Sequence, residues 1–348
     1  MAARSTPKKA APKKAATEKA AVQQVKVQRA TPAAAPSTRV RSASASAQPT
    51  TGSSTAVPVL KTYKLFIGGA FPRSESGRTY PVHGPHGDFL ANAAQSSRKD
   101  ARDAVVAARK AFPGWSHATA YNRCQVIYRI AEMLQGRRAE FIDLLVTGEG
   151  TKPKAASQTV DTAIDRLVHY AGWTDKIAAV FGSSNPVAGP FFSFSTPEPT
   201  GVVAAFAPQD DSLLGLISVI APIITSGNTV VVITSATHPL PAVTLAEVLA
   251  TSDVPGGVVN ILTGEAAEMG THLATHADVN ALDLTGVEGD LRTDLARDAA
   301  GTVKRVYIPK GASDFSKTPG TARLRAFLET KTVWHPTGAV SLAGGTSY

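Results

Sequence analysis

Three groups of residues in this 348-residue chain have types and spacings that chemistry could use. His272 and His276 stand four apart in "MGTHLATHADV", a spacing that puts two imidazoles on one helical face where they could hold zinc. No Glu lies between them and no third ligand follows nearby. A zinc site takes at least three protein ligands, so the pair reads as structural. Cys124 is the only thiol. It shares helical spacing with Ile127, Ile130 and Leu134 in "YNRCQVIYRIAEML", which marks a core-facing, inert cysteine rather than a nucleophile. The third group is the polar run Gln209-Asp210-Asp211-Ser212, placed where a loop leaves an apolar segment. No P-loop, nucleophile elbow, cysteine-rich metal pattern or internal repeat occurs.

The segments around the third group define its scaffold. Val202 to Ala207 is an apolar run stopped by Pro208, and a long apolar stretch follows from Leu213 to Thr225. These read as strand, loop and helix. After the Gly227-Asn228 turn signal, Thr229 to Ile233 is an unbroken β-branched run, as in a parallel strand covered on both faces. Leu240 to Leu249 gives a second helix and Val258 to Leu262 another buried strand. Strand, helix, strand, helix, strand is the mononucleotide half of a doubly wound sheet, so the fold class is α/β with a parallel sheet.

The segments "EPTGVVAAFAP", "SVIAPIITSGNTVVV", "VPGGVVNILTG" and "DLTG" resemble the cofactor-binding half of the aldehyde dehydrogenase superfamily. Upstream, "KLFIGGAFPRSESGRTYPV", "AVVAARKAFPGWSHATAYNRCQVIYRIAEML" and "AIDRLVHYAGWTDK" are similar to its first strands and amino-terminal helices. The resemblance implies an NAD(P)-binding-type domain over residues 61–308. It also locates the departures. Where the family carries Trp-Asn-Phe-Pro, whose Asn amide donates to the developing oxyanion, this chain has Gln209-Asp210-Asp211-Ser212. An ionised carboxylate donates nothing, so Asp210 would repel the charge it should stabilise. The ribose-holding Lys-Pro-Ser-Glu is replaced by Ile233-Thr234-Ser235-Ala236, which keeps only the Ser. The family's Gly-Ser turn at the pyrophosphate is Gly286-Val287, and Gly264 belongs to the same degenerate set. The general-base motif Glu-Leu-Gly-Gly-Lys is replaced by Pro309-Lys310-Gly311-Ala312-Ser313, and the catalytic thiol is missing. The resemblance therefore implies no catalytic residues, and NAD or NADP bound weakly if at all.

By the same resemblance, a catalytic domain should follow the base motif. Residues 309–320 stand in its place as a linker, and "LRAFLETKTVWHPTG" within 321–348 then resembles the family's terminal assembly segment. Thr330 to Trp334 has the β-branched and aromatic content of a strand, and such a strand must find a sheet edge to pair its backbone. "FGSSNPVAGPFFSFST", within 181–197, has two readings: an extension pairing with a neighbouring subunit, as in the family, or a hairpin folded on its own domain.

Residues 1–60 are rich in Ala, Pro, Ser, Thr and Lys and nearly free of large apolar side chains, the composition of a disordered tail. They hold 10 of the 36 basic and one of the 27 acidic residues, a net of +9 equal to the formal charge of the whole chain. The remainder is neutral, so the basic balance belongs to the tail. Such a tail contacts phosphates non-specifically or serves as a solubilising spacer, and no aromatic residues interleave with its charges. Its paired lysines and scattered prolines would break the amphipathic helix of a transit peptide. The longest apolar run, Leu213 to Ile224, is too short for a bilayer, and a lone cysteine points to a reducing cytoplasm.

Three functions remain on these grounds. One is an inactive subunit that assembles with a full-length aldehyde dehydrogenase or with itself. Another is an enzyme active only within a hetero-oligomer. The third is a nucleic-acid-associated protein acting through its tail.

Overall fold

The computed structural model describes residues 61–337; the expectations for the basic tail and for the last residues of the 321–348 segment lie outside them. Chain order is β1 (Thr62–Tyr63), β2 (Thr79–His83), β3 (Phe89–Ala94), α1 (Arg98–His117), α2 (Ala120–Gly136), α3 (Arg138–Glu149), α4 (Pro153–Ala171), α5 (Ile177–Phe181), β4 (Ser183–Asn185), β5 (Phe191–Pro199), β6 (Val202–Phe206), α6 (Leu214–Thr225), β7 (Thr229–Ile233), α7 (Leu240–Ala250), β8 (Val259–Leu262), α8 (Ala266–Thr275), β9 (Ala281–Asp283), α9 (Gly289–Ala300), β10 (Arg305–Tyr307), α10 (Ala322–Ala326) and β11 (Leu328–Pro336).

The central sheet is wholly parallel, in the order β10-β9-β6-β7-β8. Read in chain order from β6, this is the 3-2-1-4-5 arrangement of a doubly wound nucleotide fold. Its strands alternate between two cores. Val203, Ala205, Val230, Val232, Val259 and Ile261 pack with α2, α4, α6 and α7. Val202, Ala204, Phe206, Val231, Ile233 and Leu262 pack with α1, α8 and α9. Both faces are buried, which is why these strands carry unbroken apolar runs rather than alternation. All twelve residues of α6 are buried, because the helix lies between the sheet and other helices. Its uniform apolarity is that of an interior helix, and among the described residues no helix is long and apolar enough to cross a membrane.

A second sheet, β11-β5-β4, is antiparallel. β11 pairs with β5 from Leu328↔Pro199 through Pro336↔Phe191 without a register shift. The strand expected to need a sheet edge thus finds one in its own chain. β4 and β5 form the hairpin within the 181–197 segment, paired at Ser183↔Ser195, Ser184↔Phe194 and Asn185↔Ser193. The carboxyl-terminal segment is tied to the parallel sheet through Phe327. Its carbonyl accepts from Thr200 N at 3.2 Å and from Asn228 Nδ2 at 2.8 Å.

Candidate functional site

Strand order reverses between β6 and β9, and in such sheets ligands bind beyond the carboxyl ends of the strands at that switch point. A cleft of about 550 Å³ opens there. Its walls are the loop after β6 (Pro208 to Asp211), the β9–α9 turn (Thr285, Gly286, Glu288), Arg292 of α9, and residues of the 309–320 connection. The fold therefore opens a cleft at the switch point where doubly wound sheets bind ligands.

The groups lining that cleft suit an anion poorly. Asp210 is exposed at its mouth, and Asp211 and Glu288 add two more carboxylates against the single guanidinium of Arg292. That guanidinium donates from Nε to Val287 O at 2.5 Å, and its Nη2 lies 3.8 Å from the Glu288 carboxylate. A helix N-terminus in this position usually receives a phosphate. Here Asp211 Oδ1 accepts from Gly215 N in the first turn of α6 at 2.8 Å, so the chain supplies its own anion. Burial pushes Asp211 up, opposed by its bonds from the backbone of Gly215 and Leu214. At the start of α9, Glu288 is the N-cap residue, but its exposed side chain caps no backbone N–H and its carboxylate lies 3.8 Å from Arg292.

Gln209 closes the space between β6 and β7. Its Oε1 accepts from Ala236 N at 2.9 Å, its Nε2 donates to Ala207 O at 3.2 Å, and its carbonyl accepts from Ser235 Oγ at 2.8 Å. Ser235 Oγ also accepts from His238 N at 3.0 Å. Gln209, Ser235 and Ala236 therefore form one polar staple, with Ser235 buried and committed to the backbone.

The remaining candidate positions lie elsewhere. Ile233 and Val287 are buried in the α1/α8/α9 core and do not line the cleft. Gly264 adopts φ +119° and backs onto Gln95 and Ser96. Gly286 is held by close approach: a Cβ there would meet Ala207 O at 1.9 Å. Sequence reasoning missed Glu288 and Arg292, whose place at the start of α9 after the "DLTG" turn was the available signal. It also missed Glu149, at the end of α3, which accepts from the buried Ser212 hydroxyl. Burial pushes Glu149 above the usual carboxylate range; the Ser212 bond and the His238 charge oppose this, and Asp211 adds to it.

Cys124 is half-buried against the main core, away from the cleft. His272 packs edge-to-face on His276 with ring centroids 5.5 Å apart, and burial lowers the pKa of both. Among the described residues no group of three metal-ligating side chains occurs.

Comparison with known proteins decides the family. The sequence profile described as the aldehyde dehydrogenase family matches residues 71–319. The chain belongs to the aldehyde dehydrogenase family.

It is 31% identical over 255 residues to the putative aldehyde dehydrogenase DhaS of Bacillus subtilis, covering 72% of this chain and 50% of that protein. Against retinal dehydrogenase 2 of Gallus gallus it is 34% identical over 260 residues, covering 72% and 49%. An aldehyde dehydrogenase from Bacillus cereus solved as its NAD+ complex superposes with a TM-score of 0.66 at 26% identity, covering 71% of this chain and 50% of that one. HpcC from Thermus thermophilus gives a TM-score of 0.67 at 30% identity, covering 71% and 47%. The chain thus spans about half the length of the aldehyde dehydrogenases it matches.

Proposed function

We propose that this chain is a catalytically inactive member of the aldehyde dehydrogenase family that assembles with a full-length aldehyde dehydrogenase through its β4–β5–β11 sheet. The observation that supports this reading is the open edge of the β11-β5-β4 sheet. β11 pairs with β5 along nine residues, and its other edge has no strand beside it among the described residues. Around it Phe191, Phe192 and Trp334 are exposed, Trp334 at 59%. An open strand edge flanked by exposed aromatics is a template for adding a strand from another subunit.

The cleft supports the inactive half of the proposal. It has no thiol, no oxyanion donor at Asp210, and the carboxylates of Asp210, Asp211 and Glu288 among its lining residues. A phosphate charge about 4 Å from one carboxylate is opposed by up to ~4 kcal/mol at an effective dielectric near 20. That is about a thousandfold in affinity, enough to move a micromolar dinucleotide to millimolar.

Two measurements test the reading. Native mass spectrometry after co-expression with the full-length aldehyde dehydrogenases of the same genome should return mixed oligomers; a homo-oligomer that ignores all of them refutes the partnership. Calorimetric titration with NAD+ and NADP+ should give no micromolar binding. Tight binding would favour the second reading, an enzyme whose cofactor site serves a partner's catalytic domain, for which the NAD+-bound relative is the supporting observation. Nucleic-acid binding through residues 1–60 would appear as a gel shift that weakens steeply with salt and disappears when those residues are deleted.

A further inference from the structure

A second cleft, of about 210 Å³, lies under the 309–320 connection on the α4/α6 side of the molecule. Two arginines with little exposure line it. Arg166 of α4 is 5% exposed, and its described partners are all neutral. Nη1 donates to Ser218 Oγ at 3.0 Å, and Nη2 donates to Phe315 O at 2.6 Å and Lys317 O at 2.9 Å. Arg323 of α10 donates through Nη1 alone, to Asp283 and to Thr285 Oγ1. A guanidinium carries five N–H groups. The Nε and Nη2 of Arg323 and the Nε of Arg166 have no acceptor among the described residues, and none of these atoms is sealed from solvent.

The charges near this cleft do not balance. Asp283 answers Arg323, and at the rim Asp314 pairs with Lys317 at 3.1 Å. Asp211 acts on Arg166 only at a distance and is bonded to the α6 backbone. One nearly buried guanidinium is left without a bonded carboxylate, a costly arrangement that a bound anion relieves. The hydroxyl of Tyr170 also faces this space without a described partner. Burial, ahead of opposing pulls from both arginines, pushes its pKa up to about 12, so it remains a donor. Tyr307 places its ring 4.6 Å from the Arg323 guanidinium, which holds that fork in position.

We propose that the cleft between Arg166, Arg323, Tyr170 and the 313–320 segment binds a small oxyanion, a phosphate or short carboxylate, which fastens that segment to α4 and α10. The cleft is smaller than the usual range of drug-sized ligand pockets, about 300–1,000 Å³, so a dinucleotide does not fit. The open Nε–Nη2 edge of Arg323 offers two parallel N–H groups and the Nε of Arg166 a third, an arrangement that suits a tetrahedral or planar oxyanion better than a halide.

The test is calorimetric and thermal titration of the full chain with inorganic phosphate, with malonate, and with chloride at equal ionic strength. We expect saturable binding and a rise in melting temperature with phosphate or malonate, with the tighter of the two identifying the preferred chemistry. Arg166→Gln should weaken that binding by about tenfold or more, the loss of a charge-assisted contact. Tyr170→Phe preserves the packing and should weaken it by a smaller factor, which keeps the test decisive should Arg166→Gln fail to fold. Chloride matching the oxyanions, or equal oxyanion binding by wild type and the folded variants, overturns the proposal. Neither assay involves a partner subunit or a dinucleotide, so the outcome is independent of the assembly reading.

Discussion

Replacing Arg323 with Met should expose how the carboxyl-terminal segment is held. Asp283 lies in β9 with no solvent exposure, and Arg323 reaches it from α10 with a side chain 9% exposed. Without Arg323, the Asp283 carboxylate keeps only Thr285, whose N and Oγ1 donate at 3.1 and 2.5 Å. Removing one partner of a buried ion pair costs about 3–5 kcal/mol, because a charge is left in the interior unpaired. Native domains are stable by about 5–15 kcal/mol, so the loss is a large share of the total. With a urea m value of about 3 kcal/mol/M, the midpoint should fall by roughly 1 to 1.7 M. The double variant Asp283→Leu/Arg323→Met removes both charges and should recover most of that loss. Hydrogen exchange adds a local signature. Phe327 docks on Thr200 and Asn228 only four residues after Arg323, so amides of β11 should exchange faster in the single variant. A midpoint within about 0.3 M of wild type, or a double variant less stable than the single one, would refute the assignment of this pair as the fastening.

Other outcomes follow from the same geometry. Gln209→Ala removes two side-chain hydrogen bonds and should cost about 1–3 kcal/mol in chemical denaturation, while leaving NAD+ titrations flat. Gly286→Ala forces a Cβ onto Ala207 O and should destabilise by about 1–3 kcal/mol or more, seen as a lowered melting temperature. Glu149→Gln tests the buried carboxyl. Its pKa is raised in the fold, so native Glu149 holds its proton longer than the unfolded chain does, and stability drains away as pH climbs from about 4.5 toward the raised value. The Gln variant lacks that loss and should gain on wild type between pH 4 and pH 7 in urea midpoints; a constant difference across that range would contradict the burial argument. Trp334→Glu should abolish mixed oligomers in native mass spectrometry while leaving the circular dichroism of the domain unchanged, since Trp334 is exposed and touches Phe191 edge-on.

The parallel sheet was legible because burial on both faces removes the need for alternation. Thr229 to Ile233 and the run from Val258 could be placed nearly to the residue, and β7 and β8 occupy them. The helix after Pro208 was equally plain, since α6 is apolar on every side. Side-chain direction within the site was less accessible. Ile233 and Val287 border the cleft-forming loops in sequence, yet both turn into the core, and no periodicity distinguishes the two faces of a strand buried on both. The Gln209 staple joins residues 27 apart. Arg166 and Arg323 meet acceptors 149 and 40 residues away. Contacts of that range leave no local pattern; only the tertiary fold brings them together.

The bridge from β10 to α10 has a consequence for how the chain could be re-engineered. Tyr307 and Phe327, on either side of residues 309–320, bring their rings within 6.2 Å. The chain therefore leaves the parallel sheet and returns to it at nearly one place, the geometry that makes a loop tolerant of inserted domains. A foreign module with neighbouring termini, grafted between Pro309 and Gly320, should leave both sheets folded and hang from one edge of the molecule. The pairing of β11 with β5 from Leu328↔Pro199 to Pro336↔Phe191 lies beyond that bridge and would be carried along unchanged.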